Sequence, residues 1–536
     1  MSIEIDRRSL LRTGALSLGA LAVPAGALAN SGFTHGVASG EPRARSIMLW
    51  TRYVPRDRAE AHLRWEVAAE PSFRRPLAGG QVTASPEHDH CVKPVATGLA
   101  PGRWYHYRFL DRAGRASASG RTRTLPEGEV PRFTLGIFSC ANLAYGWFNA
   151  YAHASERKDL DLLVHLGDYY YEYARGKYPA AGETVRQLPM EGEAMALDSY
   201  RARHAAYRSD PDLQRLHTHF PMVMMWDDHE SANDSWQGGA ENHDPATEGD
   251  WSVRKAAAER AWREWLPVSD KDWASYQIGS LATLYRPETR LTARTRQLDF
   301  GAVLKGRKDV SAALSEFRDG PWHDPARTLM GAEQEAWLAR ELKASARAGT
   351  RWQILAQQVV MGSLLLPQQA TDWIGPNAPA DIRGLAQVGT AAANLGIPFN
   401  LDAWDGYPAA RERLLRAALD ANANFLVLSG DSHNAWAFDL ALGSTPAGAE
   451  FAVQGVTSPG LEAYTPRAAP AETARAMQLR NPALRYADIE HRGYLTLTLT
   501  PDCATGEWQL LDTVRQRSAH ATTRRLTVPH DTNRFA

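Results

Sequence analysis

The chain has 536 residues, of which 44% are hydrophobic and 23% charged, and its formal net charge is −1. This composition is typical of a globular protein with enough apolar material for a large core and for more than one domain. The near-neutral charge offers no broad attraction to nucleic acids or anionic membranes, so stable nucleic-acid binding is not expected. A phosphate-directed function would therefore need a locally concentrated charge, such as a metal.

The first residues have the pattern of an export signal. Paired arginines, Arg7 and Arg8, precede a moderately apolar stretch at 13–23 and a small-residue cleavage pattern at 27–29. This pattern predicts a twin-arginine signal peptide over residues 1–29, the alternative being a disordered tail with accidental arginines. No apolar stretch is long enough to span a bilayer. We therefore expect a periplasmic or secreted protein, exported by the twin-arginine translocation machinery and without a membrane span.

Three cysteines are present, Cys91, Cys140 and Cys503, so the chain is not a disulfide framework. At most one bridge can form. Pairing of Cys91 with Cys503 would leave Cys140 as a free thiol in the strand-end motif described below, and the sequence leaves that pairing open.

Short alternating runs at 46–51, 62–67 and 104–109 are separated by Gly, Pro and Asp. Period-two segments at this spacing predict a small antiparallel β-sandwich domain over residues 30–126. Its segment at 99–107 is similar to the tyrosine-bearing segment of fibronectin type III-like domains. The large aromatic residues of this region are expected in its core rather than on a sugar-binding platform.

After a linker at 125–129, strand-like and helix-like runs alternate, which predicts an α/β domain over residues 127–536. The predicted strands lie at 133–138, 161–166, 222–226, 281–285, 352–355, 425–428 and 451–456. The predicted helices lie around 151–153 and at 200–216, 333–342 and 411–421. Polar residues that follow such strands should meet at one edge of the sheet, where α/β proteins usually carry their sites.

Four strand-end motifs carry residues able to bind metals: Ser-Cys-Ala-Asn at 139–142, Gly-Asp-Tyr-Tyr-Tyr at 167–171, Trp-Asp-Asp-His-Glu at 226–230 and Ser-Gly-Asp-Ser-His at 429–433. Taken singly, each residue has an ordinary structural explanation. Cys140 could be a small buried residue, Tyr171 a packing aromatic, Asp228 a helix cap and His433 a core histidine. Four such motifs together favour a metal site.

The residue types divide into two kinds of ligand. Cys140, Tyr171 and His433 offer a thiolate, a phenolate and an imidazole, which suit a transition metal, and a phenolate favours a trivalent ion such as iron. Asp228 and Asp431 are hard oxygen donors suited to calcium, magnesium or manganese. Asp168 could bridge two cations with its two oxygens, and His229 is then left for catalysis.

The order of these motifs resembles the alkaline phosphatase D family of metallophosphatases. The resemblance extends to segments 35–42, 49–52, 403–407 and 456–460, so it covers nearly the whole mature chain. It implies an α/β fold in which a two-sheet metallophosphatase core is flanked by helices and preceded by the small antiparallel sandwich. It also implies Fe(III) held by Cys140, Asp168, Tyr171 and His433, and Ca²⁺ held by Asp168, Asp228 and Asp431.

Some features depart from the broader metallophosphatase pattern but agree with this subgroup. Cys140 replaces an Asp-x-His element, Asp228 stands where Asn is usual, and Asp431 stands where His is usual. A further amide or imidazole ligand is expected near Gln357 and Gln358, with other divalent cations as alternatives at the hard site.

The implied activity is hydrolysis of small-molecule phosphate mono- and diesters by a metal-bound hydroxide that attacks phosphorus in line. His229 would bind a phosphoryl oxygen or donate a proton to the departing alkoxide. Asn142, Glu230 and Asn233 are candidates for phosphate contact or for support of the ligands. Residues 404–407 could line the entrance or form a packed loop. The alternatives are a dedicated phosphodiesterase acting on lipids, wall polymers or nucleotides, and a non-catalytic exported phosphate-binding or surface interaction protein.

Overall fold

The computed structural model describes residues 32–375 and 380–536, so the predicted signal peptide at 1–29 lies outside the described residues. The strands are β1 Gly32–Gly40, β2 Ser46–Val54, β3 Ala61–Ala68, β4 Pro76–Ala84, β5 Cys91–Val92, β6 Val95–Thr97, β7 Trp104–Leu110, β8 Gly120–Arg123, β9 Phe133–Phe138, β10 Leu162–His165, β11 Pro221–Met224, β12 Ala274–Ile278, β13 Ala282–Arg286, β14 Trp352–Ala356, β15 Phe425–Ser429, β16 Ala435–Leu442, β17 Thr445–Ala452, β18 Leu484–Asp488, β19 Arg492–Leu499, β20 Cys503–Leu511 and β21 Ala521–Pro529. The helices are α1 Asn149–Ser155, α2 Leu197–Arg208, α3 Pro211–His219, α4 Pro245–Glu248, α5 Trp251–Trp265, α6 Phe300–Leu304, α7 Val310–Asp319, α8 Gly331–Arg347, α9 Ala370–Trp373, α10 Ala380–Asn394, α11 Pro408–Asp420 and α12 Pro470–Arg480.

Two mixed sheets face each other. The large sheet has the order β21-β20-β19-β9-β10-β11-β1-β2-β5, with β6 also paired to β2, and the second sheet has the order β12-β13-β14-β15-β17-β16-β18. At the centre of the large sheet β10 runs parallel to both β9 and β11, and in the second sheet β13, β14 and β15 are parallel. The carboxyl ends of these parallel strands carry the loops of the predicted site.

Hydrophobic residues divide into layers that explain this arrangement. One buried cluster lies between the two sheets and contains residues of both, among them Ile137, Val164, Ile354 and Leu428. A second cluster covers the outer face of the large sheet with helices α1, α2, α3 and α5, and a third covers the second sheet with α8, α11 and α12. Strands buried on both faces read as continuous apolar runs, as β9, β10 and β15 do. The predicted α/β core of two sheets flanked by helices is confirmed.

The N-terminal β-rich domain shares a sheet with this core. Strands β4, β3, β7 and β8 form a separate antiparallel sheet, and its apolar face packs on β1 and β2 around Val37, Leu49 and Tyr107. Strands β1 and β2 belong to the large sheet, because β1 pairs in parallel with β11. One layer of the sandwich is therefore the end of the core sheet, and the domain boundary at residue 126 stays a prediction.

Two predicted elements differ from the structure. The single helix predicted at 200–216 is two helices, α2 and α3, because Pro211 lacks an amide hydrogen and Asp210 caps the second helix by accepting from the amides of Asp212 and Leu213. The strand predicted at 451–456 ends at Ala452, and 453–456 form the loop that follows β17.

The bridge left open between Cys91 and Cys503 does not form, and both thiols are free. Cys91 lies on β5 and Cys503 on β20, seven strand spacings apart in the large sheet, which is about 30 Å at ~4.8 Å per strand. Within residues 32–375 and 380–536, none of the helices combines the length and apolar character needed to cross a bilayer.

Candidate metal centre

The predicted ligands lie on tight turns at the ends of parallel strands. Cys140 follows β9, Asp168 follows β10, and Asp431 and His433 follow β15. All four have positive φ, of 58°, 53°, 61° and 60° respectively. Left-handed backbone is unfavourable for residues other than glycine and is concentrated at functional sites. The backbone at these four positions is therefore strained, and such strain is typical of residues that are held in place for a function.

The soft ligands meet around one point. Ligand atoms of Cys140, Asp168 and His433 all lie within 4.8 Å of one another. The Tyr171 hydroxyl donates to Asp168 Oδ2 at 2.9 Å and lies 3.0 Å from His433 Nε2. The four residues predicted to hold iron are thus brought together, although they come from three separate loops.

Neighbouring groups orient two of these ligands. His433 Nδ1 donates to the carbonyl oxygen of Pro459 at 2.6 Å, which leaves the lone pair of Nε2 facing Tyr171 and Asp168. The Ser458 hydroxyl donates to the Tyr171 oxygen at 2.6 Å. Pro459 and Ser458 follow β17 in a loop that sequence reasoning had not linked to individual ligands.

The protonation chemistry of this group fits a cation. Burial raises the pKa of Cys140 and of Tyr171 well above their usual values, and the Asp168 carboxylate raises both further. Burial and then the neighbouring Asp228 raise the pKa of Asp168, and its Oδ1 is buried without a hydrogen-bond partner. A cation would stabilise all three anions at once and give the unsatisfied oxygen a partner.

The hard ligands form an adjoining group. Ligand atoms of Asp227, Asp228 and Asp431 lie within 4.8 Å of one another, and so do those of Asp168, Asp228 and His229. Burial and the Asp227 carboxylate raise the pKa of Asp431 well above its usual value. Asp168 is therefore a member of the soft group and a neighbour of the hard one, which is the place predicted for a bridging carboxylate.

Sequence reasoning missed a buried arginine beside the hard group. The Arg290 guanidinium contacts Asp227 through Nε, donates to Asp402 Oδ2 at 2.7 Å and to Asp431 Oδ1 at 3.2 Å. Its side chain is fully buried, so these carboxylates and the guanidinium neutralise one another in part. Arg290 comes soon after β13, so the strand-end rule could have found it, whereas Asp402 lies in a loop without such a signal.

His229 is held by a second missed residue, Glu172. His229 Nδ1 lies 2.8 Å from Glu172 Oε2 in a buried pair. Burial alone would lower the pKa of His229, but the carboxylates of Asp228 and Glu172 raise it well above the usual value. The imidazole also lies among aromatic rings, with centroid distances of 4.3 Å to Tyr171 and 6.5 Å to Tyr178.

Glu230 supports the ligand loops instead of facing the site. Its carboxylate accepts from the backbone amides of Asp168 at 3.0 Å, Tyr169 at 2.6 Å and Asp227 at 2.7 Å. The loops after β10 and β11 are thereby tied to one side chain. Of its two predicted roles, these contacts favour support of the ligands.

The other two candidates, Asn142 and Asn233, also form their hydrogen bonds within the loops. Asn142 Oδ1 accepts from the amides of Ala144 at 3.1 Å and Tyr145 at 3.2 Å. The Asn233 amide donates to Glu172 Oε1 at 2.9 Å, and its side chain donates to Glu241 at 2.7 Å. Both sets of contacts favour loop support over phosphate contact.

The further ligand expected near Gln357 and Gln358 stays a prediction. Gln357 Oε1 accepts from the Trp404 indole at 3.1 Å, and Gln358 Oε1 accepts from the Thr289 hydroxyl at 2.6 Å. Trp404 and Tyr407 are fully buried, and α11 begins at Pro408, so residues 404–407 form a packed loop that leads into a helix.

Comparison with known families identifies the chain. The PhoD-like phosphatase model matches residues 135–508, and the model of the PhoD-like phosphatase N-terminal domain matches residues 20–126. The chain belongs to the PhoD-like phosphatase family. It is 34% identical to alkaline phosphatase D of Bacillus subtilis (strain 168), over 97% of this chain and 85% of that protein.

Solved structures agree with this membership. The structure of PhoD superposes with a TM-score of 0.78 at 31% identity and covers 95% of this chain and 92% of its own. The purple acid phosphatase PPD1 of yellow lupin (Lupinus luteus) superposes with a TM-score of 0.55 at 13% identity, covering 94% of this chain and 75% of its own, and shows the shared fold alone. As a member of a metal-dependent phosphatase family, the chain is a phosphoric ester hydrolase.

Proposed function

We propose that the protein is an exported hydrolase of phosphate mono- and diesters with a mixed iron and calcium centre. Cys140, Asp168, Tyr171 and His433 would hold Fe(III), while Asp168, Asp228 and Asp431 would hold Ca²⁺. The observation that carries the proposal is the place of Asp168, whose carboxylate belongs to the soft group and adjoins the hard one. Bound there, the cations would neutralise phosphoryl charge and lower the pKa of an attacking water.

The protein's own groups complete this chemistry. The imidazole of His229 lies beside Asp168 and Asp228 and donates a proton to the departing alkoxide, a contribution worth about 10²–10⁴-fold in rate. The half-buried ring of Tyr178 covers the soft group from the segment 176–194, where its hydroxyl lies 3.4 Å from His433 Nδ1, and it limits the access of water.

Metal content tests the assignment of ligands. Wild-type protein should contain iron and calcium and should absorb visible light, because thiolate and phenolate ligands on ferric iron are coloured. Asp168→Asn should lose both metals, whereas Asp228→Ala should keep iron and lose calcium. Asp319→Asn, at an exposed carboxylate paired with its neighbour Arg318, is the matched control and should keep both. Colourless protein that hydrolyses esters and contains no iron would refute the soft site.

Substrate preference is measured with p-nitrophenyl phosphate and bis-p-nitrophenyl phosphate. Turnover of both supports the broad proposal, and turnover of the diester alone supports a dedicated phosphodiesterase. Protein loaded with metal that binds phosphate but cleaves neither ester faster than His229→Ala would indicate a non-catalytic binding protein.

Export by the twin-arginine pathway rests on the motif at residues 6–12. Replacement of Arg7 and Arg8 by lysine should retain the precursor in the cytoplasm, while the wild-type chain reaches the periplasm or medium. Equal export of both chains would refute this route.

A further inference from the structure

Glu172 and His229 form a buried pair beside the metal centre. Glu172 Oε2 lies 2.8 Å from His229 Nδ1, and the two side chains are 0% and 8% exposed. A carboxylate in this position can only accept, so Nδ1 carries a hydrogen and donates it. Nε2 is then the ring nitrogen left for the site, where His229 adjoins Asp168 and Asp228.

Other contacts fix Glu172 so that it cannot turn away from the imidazole. Its Oε1 accepts from the Asn233 amide at 2.9 Å and from Asn242 Nδ2 at 3.2 Å. Its backbone carbonyl accepts from the amide of Ala194 at 2.9 Å and from Arg203 at 3.1 Å. With both oxygens and the backbone held, one orientation of the carboxylate is selected, and through it one orientation of His229.

We propose that Glu172 is the positioning residue for His229: by accepting from Nδ1–H it orients the imidazolium so that Nε2–H faces the leaving oxygen, and transfer of that proton leaves the neutral Nδ1–H tautomer. The inference rests on the proposed function. Water attacks phosphorus and releases one proton to solvent. The P–O ester bond breaks with its electron pair on the leaving oxygen, which takes the Nε2 proton and departs as an alcohol. Solvent then returns a proton to Nε2, so the enzyme is regenerated.

The role predicts a dependence on the leaving group. An alkoxide or phenoxide of high basicity needs the proton, whereas a dinitrophenoxide departs without it. Glu172→Gln keeps an acceptor for the Asn233 amide but can present an amide donor to Nδ1, which would force the imidazole into the other tautomer. A neutral imidazole with hydrogen on Nε2 alone is a very weak acid.

The experiment compares phenyl phosphate with 2,4-dinitrophenyl phosphate in the metal-loaded full chain. Glu172→Gln should lower kcat for phenyl phosphate about 10²-fold and change kcat for the dinitrophenyl ester less than about threefold. His229→Ala should show the same selectivity, and the double variant should be no slower than His229→Ala, because the two residues act as one unit.

Two controls separate this role from a structural one. Asn242→Ala removes one of the two hydrogen bonds to Glu172 Oε1 and leaves the carboxylate in place, so its effect should be small and should show the same selectivity as Glu172→Gln. Metal content must match the wild type in every variant. If Glu172→Gln does not fold, Glu172→Asp replaces it, since a shorter carboxylate should give the same selectivity to a smaller extent.

The outcomes are distinct. An equal loss on both esters, or a double variant that multiplies the two single losses, overturns the positioning role and leaves the proposed function standing. Wild-type protein that cleaves neither ester overturns both. Selective loss on phenyl phosphate with intact metals supports the inference.

Discussion

Mild acid should destabilise this protein because His165, His204 and His217 are fully buried as neutral imidazoles. Burial lowers the pKa of His165 to about 3, and burial with the charge of Arg208 lowers the pKa of His204 to about 3 and that of His217 well below its usual value. His165 and His217 each have a tyrosine hydroxyl as partner, and both nitrogens of His204 are without one. In the described part of the chain, none of the three forms an ion pair with a carboxylate.

The direction of this pH effect follows from whether the folded or the unfolded chain binds more protons. The unfolded chain takes up protons at these groups as the pH falls through their ordinary pKa of 6.5, whereas in the folded chain His165 and His204 take them up only near pH 3. The contribution to stability is therefore complete well above pH 6.5 and is lost as the pH decreases through that value. His165 and His204 each cost about 1.4 kcal/mol per pH unit, or about 2 kcal/mol at pH 5, so these two together cost about 4 kcal/mol, and His217 acts in the same direction. That is a large share of a typical net stability of about 5–15 kcal/mol.

A single variant isolates one of these contributions. His204→Phe keeps the ring that stacks on Trp265, at a centroid distance of 6.1 Å and 8° between planes, but cannot bind a proton. Urea unfolding followed by tryptophan fluorescence at pH 8, 7, 6 and 5 gives the stability difference between variant and wild type. The difference should move by about 2 kcal/mol in favour of the variant between pH 8 and 5. Other titrating groups and metal release cancel in this comparison, so a difference independent of pH would refute the reasoning.

Two further predictions concern the metal centre. Gly167→Ala should lose both metals and lower the free energy of unfolding by at least about 1–3 kcal/mol, because φ at Gly167 is +111° and a Cβ there would lie 2.4 Å from Asp227 Cβ. The control is Gly192→Ala, where no atom lies within 4 Å of the new Cβ. Retention of both metals by Gly167→Ala would contradict the geometry. Arg290→Met should destabilise the metal-free protein by about 3–5 kcal/mol because it leaves buried carboxylates unpaired, and added calcium should restore part of this stability. The control is Arg318→Met at an exposed side chain, which should change the free energy of urea unfolding by less than about 0.5 kcal/mol. Equal stability of Arg290→Met and wild type without metal would contradict the charge argument.

The predicted ligands could be placed from the sequence because their strands are buried on both faces. Continuous apolar runs such as β9, β10 and β15 mark parallel strands, and the rule that sites lie at their carboxyl ends then brings Cys140, Asp168 and His433 together. The helix break at Pro211 could also have been predicted, because proline cannot continue a helix. The helical periodicity on both sides of Pro211 led instead to the prediction of a single helix.

Other features depend on tertiary structure. Arg290 and Asp402 are 112 positions apart in sequence, and only the folding of two loops against each other makes them a pair. Strand β1 joins the large sheet through a short parallel pairing of residues 39–40 with residues 221–222 of β11. So short a pairing produces no periodic pattern in the sequence, so it could not be predicted. Glu172 was hidden within a tyrosine-rich run whose pattern indicates packing.

The two ligand groups are coupled through backbone contacts as well as through Asp168. Glu230 accepts amides from the loops after both β10 and β11, and Gly167 packs so closely on Asp227 that no side chain fits between them. A displacement of one loop must therefore move the other. Since these contacts involve no metal ligand atom, they can set the spacing of Asp168 and Asp228 before any cation binds, and less of the binding energy is then needed to order the site. The position of Asp168 between the two groups is in this sense a property of the strand ends, and the metals of the proposed centre would bind to a geometry that the fold has already built.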